Sequence, residues 1–177
     1  MSAAATSGGS ESQIDGARTG DPEALASLYR THGAVLYRLA YRLTGTPQDA
    51  EDVVHDVFVG LPEALGRYEE RGSFASWLKR VTARVALMRL RARTRRREVG
   101  IEATLPTAAP PPDSASVALR AAVDALPDAL RAVLVLKEIE GYSHAEVGEL
   151  LGISAGASRV RLNRAMRRLR KTLEDGR

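Results

Sequence analysis

Glu146 to Leu173 reads EVGELLGISAGASRVRLNRAMRRLRKTL. Just upstream, Ser143 and Glu146 stand three residues apart, the spacing of a capping box at a helix start. Val147, Leu150 and Leu151 then fall on one side of a short helix. Gly152 supplies the left-handed residue that ends it, Ile153 plugs the joint, and Ser154 can cap a second helix. A short helix, a glycine-containing turn and a longer helix make a helix-turn-helix. On the longer helix Leu162, Met166, Leu169 and Leu173 are expected on one face. Arg161, Arg164 and Arg168 gather on the other, flanked by Arg159, Arg167, Arg170 and Lys171. No acidic residue stands between Gly156 and Lys171. A solvated helix gains from mixing charge signs at i,i+4, and charge of a single sign costs repulsion unless a polyanion answers it. A helix lying in the major groove of DNA has that answer in the phosphates. RNA recognition through unstacked bases needs exposed aromatics, and this segment offers only Tyr142.

Outward from this stretch the chain keeps helical periodicity. Its 177 residues suit one domain or two small ones. At 44% hydrophobic, 27% charged and only 5% aromatic, the core is expected to be Leu, Val and Ala in helices. Residues 1–20 are rich in Ala, Ser, Thr and Gly and are expected to be a disordered tail. From Asp21, DPEALASLYRTHGAVLYRLAYRLTG opens with an Asp N-cap and Pro at the first helical position, and Gly45 is the expected stop. TPQDAEDVVHDVFVGLPEAL is read as one second helix, with Asp49, Asp52 and Asp56 on a side away from Val53, Val54 and Val57. A third helix runs SFASWLKRVTARVALMRLRARTRRRE, with Phe74, Trp77, Leu78, Val81, Val85 and Leu90 inward. Residues 98–115 contain three consecutive prolines and are expected to be a flexible linker. Helical pattern resumes at Ser116, broken at Leu126-Pro127. The expectation is an all-α chain of two small helical domains, 21–97 and 116–174, joined by a Pro-rich linker.

The third helix carries Lys79, Arg80, Arg84, Arg89, Arg91, Arg93 and three further arginines without an acid among them. Each half therefore has its own basic helix, which points to two spaced contacts on one nucleic acid. The net charge of +4 and pI near 9.7 agree. Trp77 stands at the start of this helix, where an aromatic beside basic residues can stack on an unpaired base.

Catalysis is not expected. The chain has no cysteine, P-loop or dinucleotide fingerprint, so no cofactor is implied. Its three histidines lie in different predicted helices; Asp52, His55 and Asp56 share a face, but with no further ligand they read as a surface cluster rather than a metal site. No apolar run reaches the length of a membrane span, and the first residues lack the pattern of a signal peptide, so a cytoplasmic location without membrane insertion is expected.

AEDVVHDVFVGLPEAL, GSFASWLKRV, DALPDALRAVLVLKEIEGYSHAEVGELLGIS and RLNRAMRRLR together resemble the extracytoplasmic-function group of sigma-70 family sigma factors, from about Asp21 to Leu173. The resemblance implies a protein that binds core RNA polymerase and directs it to promoters. Region 2 would recognise and melt the −10 element through Trp77, Lys79, Arg80, Arg84 and Arg91. Region 4 would read the −35 element through Ser154, Ala157, Val160, Arg161, Arg164 and Arg168. Asp49, Glu51, Asp52, His55 and Asp56 would dock on the clamp helices of the polymerase β′ subunit, and the apolar side of region 4 would hold the β flap tip. An anti-sigma factor is a partner the family pattern admits. Two departures stand out. Gly156-Ala157-Ser158-Arg159-Val160 replaces the usual Gly-Thr-Val-Lys-Ser, which places Ser158 in a slot that is normally apolar and Val160 where it can touch a thymine methyl. Arg84 and Met88 stand where Asn and Asp are common. The alternative is a stand-alone helix-turn-helix regulator, which leaves the acidic helix and the second basic helix without a role.

Overall fold

The computed structural model describes residues 5–69, 72–98 and 114–175. Among them no strand occurs, and nine α-helices follow in order. The chain divides into two units: Met1–Tyr41 with Pro47–Val85, and Arg42–Thr46 with Ala86–Arg177.

In the first unit α1 spans Ala5–Arg18, α3 Pro47–Val59 and α4 Leu61–Leu65; α2, Pro22–Thr44, lies here except for its last three residues, which belong to the second unit, and α5, Phe74–Glu98, begins here. Asp21 caps α2 as its sequence predicts, accepting from the Ala24 amide at 3.2 Å. Gly45, at φ +82°, ends it. Leu28, Leu36 and Leu39 of α2, Val53 and Val57 of α3 and Leu78 of α5 are buried. Val35 and Tyr29 are exposed, and Tyr29 leans edge-on against Phe58. The second predicted helix is in fact two. Pro62 near the start of α4 cannot donate the amide that would continue the ladder, and the break falls at Gly60.

Residues 1–20, expected to be disordered, hold α1. Ile14 and Ala17 are nearly or fully buried. Arg18 Nε donates to the Leu65 carbonyl at 3.3 Å, and Gln13 Nε2 to Ser27 Oγ at 3.0 Å. At Gly16 a Cβ would lie 2.9 Å from the Ala24 Cβ, so glycine is what lets α1 sit this close to α2. Two apolar residues in a polar stretch are too few to announce a helix by pattern; docking rather than propensity stabilises it.

In the second unit the end of α5 is joined by α6 (Ser114–Asp124), α7 (Asp128–Leu134), α8 (His144–Leu151) and α9 (Ala155–Asp175). Residues Val135–Ile139 prolong α7 as a wider π turn. The break at Leu126-Pro127 lies where expected. Ala122, Leu126, Leu134, Ala165 and Leu169 form a core, with Val123, Leu130, Leu162 and Leu173 packed against it. These residues come from α6, α7 and α9 and the turn between α6 and α7. The Pro-rich stretch read as a linker lies almost wholly outside the described residues.

Candidate nucleic-acid interface

The helix-turn-helix is built as its residues dictate. Ser143 Oγ accepts from the Glu146 amide at 3.2 Å, and the Glu146 carboxylate accepts from the Ser143 amide at 2.8 Å, completing the capping box. Gly152 is left-handed at φ +67° and closes α8. Ser154 Oγ accepts from the Ala157 amide at 3.1 Å and caps α9. Gly148 in the middle of α8 is not singled out by the sequence pattern. A Cβ there would stand 2.6 Å from the Ile153 carbonyl oxygen, so the absent side chain sets how closely the turn folds back on α8.

The buried side of α9 is shifted from the one expected. Ser158, Ala165 and Leu169 are buried, whereas Met166 is 45% exposed. At 100° per residue Ser158 and Ala165 lie on the same flank of Leu169, and burying both turns Met166 to the rim. Burial of the Ser158 hydroxyl requires a partner. His144 Nδ1 supplies it at 2.9 Å, tying the first turn of α8 to that of α9. Ser158→Ala is expected to lower the stability of this unit by about 1 kcal/mol. In a His144→Ala/Ser158→Ala double-mutant cycle followed by chemical denaturation, the two losses should be clearly less than additive.

The residues assigned to −35 reading do not share one environment. Ser154, Val160, Arg164 and Arg168 are exposed, with Val160 at 49%. Ala157 and Arg161 are half-buried. Arg161 lines a cavity of about 380 Å³ together with Arg91 and Arg95 of α5, Asp128 of α7 and Leu151 of α8. Within the same unit Arg91 donates to the Leu150 carbonyl at 3.2 Å.

Of the −10 residues, Trp77, Lys79 and Arg80 are half-buried and Arg84 is exposed. Trp77 is not a lone stacking platform. Its ring centroid is 4.8 Å from Tyr68 and 5.6 Å from Phe74, and Phe74 in turn meets His32 edge-on at 5.5 Å. The sequence pointed to Trp77 and left Tyr68 and His32 unremarked. Burial lowers the His32 pKa below its ordinary 6.5. The folded state thus disfavours the imidazolium. Its contribution is present above pH 6.5, where both states are neutral, and is lost as pH falls below 6.5 toward the folded pKa, because the unfolded chain binds the proton first. Melting from pH 7.5 to 5.5 should show a loss attributable to this group, and His32→Gln should flatten it.

On α3, Glu51, His55 and Asp56 are exposed and Asp49 and Asp52 half-buried, while Ala50, Val53, Val54 and Val57 are buried. The acidic residues and the core residues therefore occupy different sides of one helix. Among the described residues no group of three or more His, Cys, Asp or Glu side chains could hold a metal, and no helix is long and apolar enough to cross a membrane.

Comparison with known proteins agrees with this arrangement. The family model for Sigma-70 region 2 matches residues 28–96, and that for Sigma-70, region 4 matches residues 116–169. The chain is 36% identical over 88% of its length to ECF RNA polymerase sigma factor SigE of Mycolicibacterium smegmatis, of which it spans 65%. It is 34% identical to RNA polymerase sigma factor CarQ of Myxococcus xanthus, covering 88% of this chain and 92% of that one. The sigma factor RpoE of Bartonella quintana, solved in complex with the anti-sigma factor NepR, shares the fold at a TM-score of 0.66 and 22% identity, over 86% of this chain and 97% of that one. With both region models in order along it and relatives that match over most of its length, this chain belongs to the extracytoplasmic-function sigma factors of the sigma-70 family.

Proposed function

We propose that the chain binds core RNA polymerase and directs promoter-specific initiation, with α9 reading the −35 element and α5 the −10 element. The observation that carries this is the pairing, in one chain, of a region 2 unit with a region 4 helix-turn-helix whose second helix has only basic charges from Arg159 to Lys171. In this reading Arg164 and Arg168 meet phosphates and base edges, and Val160 meets a thymine methyl. Arg161 joins them once it leaves the cavity it lines. Trp77 and its aromatic neighbours face the unpaired −10 strand, with Lys79, Arg80, Arg84 and Arg91 on the backbone. Asp49, Glu51, Asp52, His55 and Asp56 form the docking face for the β′ clamp helices, and region 4 holds the β flap tip. The chain itself performs no catalytic step, since polymerase supplies the chemistry, and it works in the cytoplasm. An anti-sigma factor as regulator is supported by the RpoE–NepR complex, whose sigma subunit shares this fold.

The test is transcription in vitro from a pool of random promoters with core polymerase and this protein. Transcripts starting a fixed distance from a shared two-part motif are the expected result. Polymerase-independent binding to a single site, with no transcripts, would replace this reading with a stand-alone regulator. The docking face has its own test. Asp52→Lys/Asp56→Lys should weaken core polymerase binding at least tenfold, about 1.4 kcal/mol, because complementary charge becomes like charge. Helicity should be unchanged. Binding equal to the parent chain's would remove α3 from the interface.

A further inference from the structure

The cavity of about 380 Å³ lies inside the second unit, and its lining changes character with depth. Leu87 and Leu90 of α5 and Ala132 of α7 are buried, and Leu151 of α8 is half-buried. These apolar side chains form the floor. The mouth is cationic: Arg91 and Arg95 of α5 are exposed, and Arg161 of α9 is half-buried. Small-molecule sites combine an apolar lining with a few placed polar groups in roughly 300–1,000 Å³, and this cavity meets both conditions.

Three guanidiniums thus face one small space. Asp128 is the only acid among the described lining residues, and it is already engaged, pairing with Arg131 and, at 3.2 Å, with Arg93. Arg91 gives one N–H to the Leu150 carbonyl at 3.2 Å and keeps others. Charge of one sign around a cleft with apolar walls focuses its potential there and concentrates counter-ions. The planar fork of a guanidinium fits phosphate oxygens two at a time. The floor then narrows the class of anion. Inorganic phosphate alone would use the mouth and leave the floor wet. A DNA backbone asks for a row of cations along an open surface, as the exposed side of α9 supplies. A buried apolar floor asks for an anion that also carries a flat part able to leave water, and every nucleobase has such a face.

We propose that this cavity binds a nucleoside triphosphate, with the phosphates on Arg91, Arg95 and Arg161 and the base on the floor of Leu87, Leu90, Ala132 and Leu151. Binding requires neither promoter nor polymerase. It has a consequence for the −35 contact, and that part rests on the sigma factor reading. An Arg161 guanidinium held on a phosphate in the cavity is not available to a base edge, so nucleotide and promoter DNA weaken each other's binding by the same factor.

Calorimetric titration of the free full-length chain with each of the four ribonucleoside triphosphates, in magnesium-free buffer, tests the site. At least one is expected to bind once per chain, and at least tenfold more tightly than inorganic tripolyphosphate, which offers the anion without a base. Ala129→Trp fills the cavity from an exposed position in its lining and leaves every arginine in place. It should weaken the nucleotide at least tenfold with helicity unchanged. Arg95→Gln, also at an exposed position, should weaken it too and guards against a tryptophan variant that misfolds. No binding by any of the four up to about 1 mM, tripolyphosphate as tight as the best of them, or nucleotide binding unchanged in both variants overturns the site. A short single-stranded oligonucleotide whose binding Ala129→Trp abolishes, with no nucleotide bound, would give the cavity to a DNA strand and overturn it likewise. With core polymerase and the duplex selected by transcription in vitro, the same nucleotide should weaken promoter binding severalfold for the parent chain and not for Ala129→Trp. Nucleotide in the polymerase's own substrate site is common to both, so an equal effect on the two overturns the competition. Failure of the parent complex to hold the promoter without nucleotide counts against the sigma factor reading instead, and the titration still decides the cavity.

Discussion

A valine at Gly148 is expected to cost the helix-turn-helix unit about 3 kcal/mol, at the upper end of what overpacking costs. Glycine inside a helix is disfavoured by about 1 kcal/mol relative to alanine, so propensity by itself predicts a gain from adding a side chain. The contact reverses that sign. A Cβ at this position stands 2.6 Å from the Ile153 carbonyl oxygen, with Ser154 C and Ala155 N each at 3.5 Å. All three are backbone atoms of the turn and have no rotamer by which to retreat. The two γ-methyls of valine push further along the same line. Relief comes only by opening the angle between α8 and α9, which also breaks the His144–Ser158 bond and misplaces the arginines of α9. Denaturant unfolding of Gly148→Val should show the loss, and −35-dependent transcription should fall with it. Parental values of both would mean that the turn is soft enough to widen.

Arg131→Ala is expected to be the other severe substitution, with a loss of roughly 3–5 kcal/mol, the range found when one partner of a buried charged pair is removed. Burial pushes the Arg131 pKa down, Asp128 pulls it up and Arg93 beside it pushes it down again. A guanidinium is not deprotonated by such shifts, so the group is a cation at pH 7. Alanine leaves the Leu43 and Thr44 carbonyls without this donor and removes one of the two cations facing Asp128. The loss should fall on the contact of α7 with the ends of α2 and α5 more than on the packing of α6, α7 and α9 against one another. Hydrogen exchange separates the two. Amides of residues 86–98 should lose protection by about that amount, while those from Leu162 to Leu169 keep most of theirs. Uniform loss across both would mean that Arg131 supports the helical core itself.

The helix-turn-helix was legible because each part of it is a local rule tied to a residue type: Ser143 with Glu146, then Gly152, then Ser154. The start of α2 at Asp21-Pro22 was legible for the same reason. Elements that depend on distant partners were not. Helix α1 rests on Ile14 and Ala17 docking against the rest of its unit, and no periodic stripe announces it. Arg131 stands in LRAVLVL, where an arginine reads as the solvent side of a helix; two of its acceptors are main-chain oxygens 87 and 88 residues away, which have no signature of their own. On α9 the stripe read from Leu162, Met166, Leu169 and Leu173 is turned toward Ala165 and Ser158; the sequence places Ser158 in a normally apolar slot, but its partner His144 lies on another helix and has no signature in the pattern. The candidate site follows the same division. The basic character of α5 and α9 and the acidic side of α3 were readable from charge alone. The sharing of one cavity by Arg91 and Arg161 was not.

The aromatic cluster around Trp77 also divides the molecule optically. The chain has one tryptophan, and the first unit also holds six Phe and Tyr side chains, with Tyr68 centred 4.8 Å from the indole. The second unit contains only Tyr142 among Phe, Tyr and Trp. Excitation at the red edge of the absorption band therefore illuminates the first unit alone, and Tyr68 close to the indole can pass its excitation to it. Emission from the unaltered protein follows the first unit's unfolding or its meeting with a base, while the helix-turn-helix stays dark in the same experiment.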